Sequence, residues 1–389
     1  MNKNLSLLIL SQIFAFTAAP VTVFLSGIIG SKFSPINTLA TLPMALSVVG
    51  IALFAFFAAK LMSIIGRKLG FIFASIGTCF ASLLTAYSII IESFVLYNLG
   101  CFLIGGGIAF SHQYRFAAVE VVDKDYAPKA ISIILLAGIG SAFIGPNIAN
   151  ISKELISDHM YAGSYLALAI LSISSTIFLI FYQEPKTISS NQYKTGRSFF
   201  ELISQPRFLQ ALVASAFAYA VMTFLMTATP ISMHLMEKIS LSKTGFVIQL
   251  HIAAMFLPSL VTGNLIKRFG HSKIMYVGVL LFLVTIITSL FEQNYINYMV
   301  ALIFLGLGWN FLFISGTSLL VLCYREEEKF RAQGYNDLIV YSIQALASLS
   351  AGVFLSLTSW KTMNLICLIF LIIIALSTIR ADLKKNPSN

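Results

Sequence analysis

Apolar runs long enough to cross a bilayer follow one another along almost the whole of this 389-residue chain. A membrane-spanning helix needs about 20 predominantly apolar residues. We number twelve such runs as spans 1 to 12, and they lie at 5–29, 36–59, 69–91, 93–119, 130–152, 163–183, 208–232, 245–266, 274–292, 297–323, 335–357 and 363–380. Only 10% of the residues are charged, far fewer than in a soluble domain of this length. The sequence therefore predicts an all-α membrane protein with twelve transmembrane helices.

The lysines and arginines concentrate in alternate loops. With both termini in the cytoplasm, 19 of the 25 basic residues fall on the cytoplasmic side, as the positive-inside rule requires. We therefore expect both termini and the loop between spans 6 and 7 to be cytoplasmic. The net charge of +10 follows this loop pattern, so it does not indicate a nucleic-acid partner.

The longest polar segment divides the chain into halves. It reads EPKTISSNQYKTGRSFFELISQPR and joins span 6 to span 7. It predicts an N-terminal six-helix bundle over 1–183, a cytoplasmic linker over 184–207 and a C-terminal six-helix bundle over 208–389. Within the linker, the SFFELI segment predicts a short surface helix.

The two halves also repeat. At an offset of 201 residues, span 4 and span 10 place identical residues at four positions. The pairs are Tyr97 with Tyr298, Gly105 with Gly306, Gly107 with Gly308 and Phe110 with Phe311. Weak internal symmetry of this kind is typical of duplicated transporter folds.

Two loops carry related sequences, AKLMSIIGRKLG after span 2 and GNLIKRFGHSK after span 8. Both resemble the loop signature of the major facilitator superfamily, G-x-L-x-D-R-x-G-R-R/K. The matching residues are Leu61, Gly66, Arg67 and Lys68 in the first copy, and Gly263, Leu265, Arg268, Gly270 and Lys273 in the second. The first copy departs from the signature at Ala59, Ser63 and Ile64, so Ser63 stands where the family has an aspartate.

Span 5 carries a further similarity to the family. Its sequence GIGSAFIGPNIA resembles the glycine-proline motif through Gly145 and Pro146, with Ser141 at the position of one expected glycine. Small residues at this spacing also form a flat face for close helix packing, and a proline bends a helix. Packing alone is thus an alternative explanation of the motif.

The resemblance implies two pseudo-symmetric six-helix bundles around a central cavity that opens alternately to either side. It implies an inner membrane of bacterial type as the location. It also implies a cytoplasmic gate formed by the two loop copies, with Glu120 or Asp123 as the partner of Arg67. Because Ser63 replaces the aspartate, we expect at most a hydrogen bond from that position to backbone N–H groups near 334–337. The expected gating or coupling residues are Glu120, Asp337, Gly66, Arg67, Lys68, Arg268, Gly270, Gly145 and Pro146.

Arg115 is the most unusual charge in the sequence. The stretch 97–129 begins as a transmembrane helix, is expected to pass through a glycine-rich turn, and places Arg115 about two turns inside the cytoplasmic end of span 4. An arginine at a helix centre in lipid costs roughly 2.5 to 3.5 kcal/mol. It therefore needs a partner, either an anionic group of a substrate, most simply a carboxylate, or Asp337 in a structural ion pair. His112 and Gln113 precede it in the same polar segment.

Other spans carry polar residues at helical spacing. Asp337, Tyr341 and Gln344 share one face of span 11, and Tyr219 and Thr223 share one face of span 7. Such faces line a cavity or form hydrogen bonds between helices. Under the first interpretation the substrate-binding residues are Arg115, His112, Gln113, Gln12, Tyr219, Thr223, Trp309, Asn310, Tyr341 and Gln344.

The motifs that are missing from the sequence limit the function further. No HExxH motif and no matched catalytic pair occurs, so an enzyme is not expected. The four cysteines lack CxxC spacing and histidine partners, so neither a disulfide framework nor a metal site is indicated, and no cofactor is expected. No P-loop occurs, so the energy for transport must come from an ion or substrate gradient.

The sequence thus predicts a secondary active transporter of a small organic solute, with an anionic, carboxylate-bearing solute as one candidate. The family resemblance favours the proton as coupling ion, with Glu120, Asp337 and His112 as titratable candidates. The expected partners are the substrate, the proton and the lipid bilayer, and the expected state is a monomer. Two alternatives remain open: a multidrug-type efflux pump for amphipathic compounds, and a non-transporting, receptor-like member of the fold.

Overall fold

The computed structural model of the chain describes residues 3–35, 39, 42–185 and 196–384. Every regular element within those residues is a helix. This is the expected solution for a chain in lipid, because a helix satisfies its backbone N–H and C=O groups within one segment. The all-α fold class predicted from the sequence is confirmed.

The N-terminal half contains seven described α-helices. Span 1 is broken after Ala15 and span 4 is broken at His112 and Gln113, so each of these spans consists of two helices. The helices are α1 (Lys3–Ala15), α2 (Ala18–Phe33), α3 (Leu42–Ile90), α4 (Phe94–Ser111), α5 (Tyr114–Glu120), α6 (Ala127–Ile151) and α7 (Ala162–Phe181).

The C-terminal half contains eight described α-helices, and a π-helical segment, Ile231–Met236, follows span 7. Span 8 is broken at Leu257 and Pro258. The helices are α8 (Phe199–Ser204), α9 (Pro206–Pro230), α10 (Leu241–Phe256), α11 (Ser259–Phe269), α12 (His271–Leu290), α13 (Tyr295–Val321), α14 (Lys329–Leu357) and α15 (Trp360–Leu383).

The short surface helix predicted in the linker is confirmed as α8. Ser198 and Glu201 form a capping box at its start, in which each side chain accepts a hydrogen bond from the other residue's backbone N–H. Such reciprocal capping satisfies two of the free donors of a helix N-terminus. The preceding part of the predicted linker, 186–195, lies outside the described residues.

Eleven helical stretches in the described residues are long and apolar enough to cross a membrane. One of them, α3, has 49 residues and as one straight helix would be about 74 Å long at 1.5 Å per residue. That is more than twice a bilayer core of about 30 Å. Gly66 interrupts α3 with φ 86° and ψ 167°, outside the helical region. Spans 2 and 3 therefore meet at Gly66, and the twelve predicted transmembrane helices are confirmed.

The chain divides into two compact units. The first contains Met1–Lys124, Ile133–Thr195 and Gln333–Leu338, and the second contains Asp125–Ser132, Gly196–Ala332 and Ile339–Asn389. Each unit thus includes one short segment from the opposite half of the chain. Both segments lie near the N-terminal ends of equivalent helices, α6 in span 5 and α14 in span 11.

The glycine-rich turn expected in span 4 is wrong. Residues 105–107 continue α4 as a regular helix. A Cβ on Gly105 would lie 2.0 Å from the Ser47 carbonyl oxygen, and one on Gly107 would lie 1.9 Å from Thr78 Oγ1. The missing side chains allow α4 to approach α3 closely, as small residues do in membrane helix packing.

Large apolar side chains cover the outside of the helices. Phe80, Val95 and Ile151 are 67%, 80% and 82% exposed. Polar residues such as Arg67 and Asp337, in contrast, are 0% exposed. This distribution, polar inside and apolar outside, suits a protein whose surroundings are lipid tails.

Candidate functional site

Arg67 lies at the centre of a buried polar cluster in the first unit. It follows the break at Gly66, and its guanidinium donates hydrogen bonds to three different side chains. The acceptors are Glu120 Oε1 at 2.8 Å, Gln113 Oε1 at 2.9 Å and Gln333 Oε1 at 2.5 Å. A guanidinium with acceptors on several sides is held in one orientation, because its donors form a rigid plane. The pairing with Glu120 expected from the sequence is confirmed.

Gly66 is required for both conformation and space. Its positive φ is disfavoured for residues with a side chain, and a Cβ there would lie 2.7 Å from the Glu184 carboxylate. That carboxylate accepts hydrogen bonds from the backbone N–H groups of Arg67, at 2.6 Å, and Lys68, at 3.1 Å. Backbone N–H groups at a helix start have no partner within the helix, and Glu184 supplies one here. Lys68 Nζ donates in turn to the Ile180 carbonyl at 2.7 Å.

Arg115 is ion-paired with Asp337, and their side chains are 2% and 0% exposed. Asp337 also accepts hydrogen bonds from Gln113 Nε2 at 2.6 Å and from Asn336 Nδ2 at 2.9 Å. A buried carboxylate requires such donors because it has left water. Of the two partners considered for Arg115, Asp337 is the one observed in contact with it. Binding of an anionic substrate stays a prediction.

Gln113 joins these two charged groups into one network. It is 0% exposed, its amide oxygen accepts from Arg67 and its amide nitrogen donates to Asp337. A guanidinium only donates and a carboxylate only accepts, so the amide has one orientation that suits both neighbours. Arg67, Gln113, Asp337 and Arg115 therefore form a continuous buried chain, which we call the arginine network.

Ser63 does not contribute to this network. The Ser63 hydroxyl donates to the Lys60 carbonyl at 2.7 Å, and the hydrogen bond expected at this position with N–H groups near 334–337 stays a prediction. The segment 333–338 instead makes apolar contacts with α3, where Tyr335 stacks on Phe56 with ring centroids 5.6 Å apart. A serine is too short to replace the family's aspartate, and Gln333 supplies the contact to Arg67 instead.

The second loop copy shares the backbone conformation of the first. Gly270 has φ 86° and ψ 161°, almost the values of Gly66. No atom lies within 4 Å of a Cβ built on Gly270, and the side chain of Arg268 is exposed above the Phe269 ring at 5.2 Å. The two copies therefore have the same turn, but the second lacks a buried arginine.

Asp382 in the second unit is a carboxylate acceptor comparable with Glu184 in the first. It was not predicted from the sequence. This residue near the end of α15 accepts hydrogen bonds from Ser272 Oγ at 2.7 Å and Tyr276 OH at 3.2 Å. Arg207 Nη1 lies 3.0 Å from the same carboxylate. Glu184 and Asp382 both follow or end the sixth span of their half, and that shared position is the signal that could have revealed them.

The end of the linker binds the start of α14 through Arg197. Its guanidinium donates to both carboxylate oxygens of Glu328, at 2.9 and 2.6 Å, and to the Cys323 carbonyl at 3.2 Å. The hydrogen bonding with Glu328 raises the pKa of Arg197 above its ordinary value. Glu328 is 0% exposed, so this pair is far better shielded than an ordinary surface salt bridge.

Three predicted substrate-binding residues form an aromatic cluster in the second unit. Tyr219 makes edge contacts with Trp309 and Tyr341, with ring centroids 5.2 and 5.6 Å apart. Phe313 stacks on Trp309 at 5.0 Å. Thr223 lies one turn beyond Tyr219 and retains 8% exposure. We call Tyr219, Trp309, Phe313 and Tyr341 the aromatic cluster.

Asn310 has a hydrogen-bonding role between helices. Its amide oxygen accepts from Thr262 Oγ1 at 2.7 Å, and its Nδ2 donates to Ser259 Oγ and the Met255 carbonyl, both at 2.7 Å. These contacts occupy a side chain that is 0% exposed. They match the second interpretation given for polar faces. Gln344 is half-buried on α14.

The remaining predicted residues lie in the first unit. Gln12 is 6% exposed, and its Oε1 has no hydrogen-bond partner among the described groups. His112 is in the turn between α4 and α5 and contacts the Phe16 ring edge-on at 5.6 Å. Both residues stay candidates for substrate binding.

The span 5 motif packs closely against span 1. A Cβ on Gly145 would lie 3.0 Å from Pro20 Cγ. Ser141 Oγ donates to the Ile13 carbonyl at 2.7 Å. Pro146 is within α6, next to Gly145. These contacts agree with close helix packing as the basis of the motif.

Comparisons with known proteins define the class to which this fold and site belong. Residues 212–389 match the sequence profile of the Major Facilitator Superfamily. The chain is 34% identical over 364 residues to the riboflavin transporter RfnT of Brucella anthropi, covering 93% of this chain and 91% of that protein. It is 25% identical over 381 residues to the uncharacterised MFS-type transporter YddS of Bacillus subtilis, covering 93% and 87%.

Solved structures show the same fold. The MFS transporter FucP in its outward conformation matches with a TM-score of 0.72 and 15% identity, covering 96% of this chain and 98% of that one. A bacterial homologue of the iron transporter ferroportin matches with a TM-score of 0.73 and 12% identity, covering 98% and 100%. The chain belongs to the major facilitator superfamily. It is a multi-pass membrane transporter and not an enzyme.

Proposed function

We propose that this chain is a secondary active transporter of riboflavin or a closely related flavin. The observation that carries the proposal is the 34% identity to a riboflavin transporter over nearly the full length of both chains. Riboflavin combines a planar ring system with a polar ribityl chain. The aromatic cluster offers the stacking contact that the ring system of such a solute needs.

Uptake into proteoliposomes tests this proposal directly. Vesicles that contain the purified protein and are loaded with unlabelled riboflavin should accumulate labelled riboflavin by exchange. Vesicles without internal riboflavin should not. The Gly77→Ala variant should exchange riboflavin as the wild type does, because nothing lies within 4 Å of a Cβ at Gly77. It is the control for a substitution that disturbs no contact. Exchange of other solutes but not riboflavin would contradict the flavin assignment. The absence of exchange for every solute in the panel would favour the receptor-like alternative.

We further propose that the arginine network changes during the transport cycle. It attaches residues 333–338 to the N-terminal helices through Arg67, Gln113 and Arg115, and alternating access requires contacts of this kind to form and break. Glu120 is the candidate proton acceptor, because its side chain is 12% exposed and pairs with Arg67. Protonation of Glu120 would weaken that pair. If a proton gradient drives uptake, a protonophore should abolish accumulation but spare exchange, and Glu120→Gln should do the same.

An anionic, carboxylate-bearing solute is the second candidate substrate. Arg115 favours it, because this buried guanidinium, which contacts Asp337 Oδ1 through Nη2, could pair with a substrate carboxylate in place of Asp337. Inhibition of riboflavin exchange by small carboxylates, lost in Arg115→Lys, would support this candidate. In the same framework we propose a monomer in a bacterial inner membrane with both termini in the cytoplasm.

A further inference from the structure

The aromatic cluster contains a buried polar group without a hydrogen-bond partner among the described residues. Trp309 is 1% exposed, and its indole N–H has no hydrogen-bond partner among the described groups. The next residue, Asn310, has its amide oxygen and nitrogen both bonded. Buried donors are rarely left unsatisfied, and an exception calls for an explanation. A ligand that completes the bond is one such explanation.

The surrounding rings fit a flat ligand. Trp309 and Phe313 are stacked with an interplanar angle of 18°, and Tyr219 presents its edge to both, at 5.2 and 5.0 Å. Rings that stack on one another can also stack on a planar heteroaromatic guest, because the favoured offset geometry is the same. Tyr219 and Thr223 keep 7% and 8% of their surface exposed, and Phe256 is half-buried against Trp309 at 6.0 Å. Tyr219 is therefore the least buried member of the cluster.

We propose that the aromatic cluster binds the planar ring of the transported solute and that the Trp309 indole N–H donates a hydrogen bond to a ring carbonyl or ring nitrogen. This inference rests on the proposed flavin transport and adds to it the site and the donor. The isoalloxazine ring suits the site because it has a large π-face for stacking and several acceptors along one edge. The Trp309 indole N–H supplies the one donor that the proposal requires of the protein. The proposed stacking and hydrogen bond involve only the ring, so we expect a flavin ring without the ribityl chain to bind at the same site.

The experiment uses the two tryptophans of the chain, Trp309 and Trp360. Both are 1% exposed, and Trp360 packs on Tyr298 with ring centroids 5.2 Å apart, so Trp360→Phe is a control matched in residue type and burial. Binding of riboflavin and of lumichrome, the same tricyclic ring in its alloxazine form without the ribityl chain, is measured by calorimetry on purified full-length protein. We expect Trp309→Phe to weaken binding of both ligands about ten-fold, the effect of one lost hydrogen bond to a buried acceptor. Trp360→Phe should leave both affinities unchanged.

A second measurement does not depend on the folding of Trp309→Phe. In Trp360→Phe, Trp309 is the sole tryptophan, and lumichrome stacked on it should reduce the emission amplitude without shortening the lifetime, as contact quenching does. Equal affinities of wild type and folded Trp309→Phe, or a Trp309 emission that lumichrome leaves intact, would overturn the ring site. Failure of both flavins to bind the wild type would overturn it as well. If lumichrome binds through Trp309 but riboflavin is not transported, the ring site stands and the proposed substrate is wrong.

Discussion

The guanidinium of Arg115 is ion-paired with the carboxylate of Asp337, although 222 positions separate the two residues in the chain. Both side chains are buried within the first unit, and Gln113 connects the pair to Arg67. A charge left alone in such surroundings is strongly destabilising, whereas a matched neutral pair is tolerated. This difference makes the pair testable.

The first prediction is that Arg115 and Asp337 are energetically coupled. Arg115→Gln and Asp337→Asn should each destabilise the protein by about 3 to 5 kcal/mol, because each leaves one buried charge unpaired. The double variant should lose less than the sum, by about 0.5 to 3 kcal/mol. Thermal unfolding of the purified variants in detergent measures both effects. Strictly additive losses would show that the pair does not contribute to stability.

The same variants also separate the two roles considered for Arg115. If Arg115 serves only the ion pair, riboflavin exchange should recover in the double variant together with stability. If Arg115 also binds a substrate carboxylate, exchange should stay lost in the double variant although part of the stability is regained. The two readouts together therefore distinguish structure from recognition.

The second prediction compares two glycines with the same backbone conformation. Gly66→Ala and Gly270→Ala should each cost about 1 to 3 kcal/mol, because both residues have a φ of +86°. Only at Gly66 does the new Cβ collide with the Glu184 carboxylate, at 2.7 Å. We therefore expect the larger loss of stability and transport in Gly66→Ala. Equal effects would mean that the Glu184 contact is unimportant.

Much of the architecture could be predicted from the sequence, because it depends on local chemistry. The twelve spans follow from run length and hydropathy, α8 follows from the SFFELI segment of the linker, and the two loop glycines follow from a motif. The partner of Arg67 could also be predicted, since Glu120 ends the neighbouring span at the same depth. Each of these inferences needs only the order of residues along one segment.

The contacts that sequence reasoning missed depend on how helices pack. Gln333 reaches Arg67 and Glu184 reaches the helix start after Gly66 only in a particular register of helices far apart in sequence. The glycines at 105–107 were interpreted as a turn because glycine is a poor helix former in water. In a membrane the same residue is favoured where two helices touch, and that depends on the partner helix.

The third prediction concerns the bridging amide of Gln113. Gln113→Leu should destabilise the protein by about 1 to 3 kcal/mol, because leucine can neither accept the hydrogen bond that Arg67 donates nor donate one to Asp337. Gln344→Leu is the control, since Gln344 is half-buried. Unfolding midpoints of the two variants provide the comparison. A Gln113 variant as stable as the control would argue against a continuous arginine network.

The fourth prediction concerns the linker contact between Arg197 and Glu328. Arg197→Met should destabilise the protein by about 3 to 5 kcal/mol, because Glu328 is fully buried and would lose its cation. Lys153→Met removes a cation from an exposed pair with Glu154, and its effect should stay below about 1 kcal/mol. Denaturation in detergent measures both. Similar small effects would show that the linker contact is as weak as a surface salt bridge.

The last prediction tests the orientation in the membrane with two single-cysteine positions. The positive-inside rule places the linker in the cytoplasm and the loop between spans 5 and 6 on the opposite face. Ser190 is in the part of the linker outside the described residues, and Ser157 is an exposed residue of the loop after α6. In intact cells, an impermeant thiol reagent should label Ser157→Cys and not Ser190→Cys, with the parent protein as the background for the four native cysteines. After lysis both variants should react. Labelling of Ser190→Cys but not of Ser157→Cys in intact cells would invert the topology. Labelling of both would contradict the placement of one span, α7, between the two residues, because a single span puts them on opposite faces.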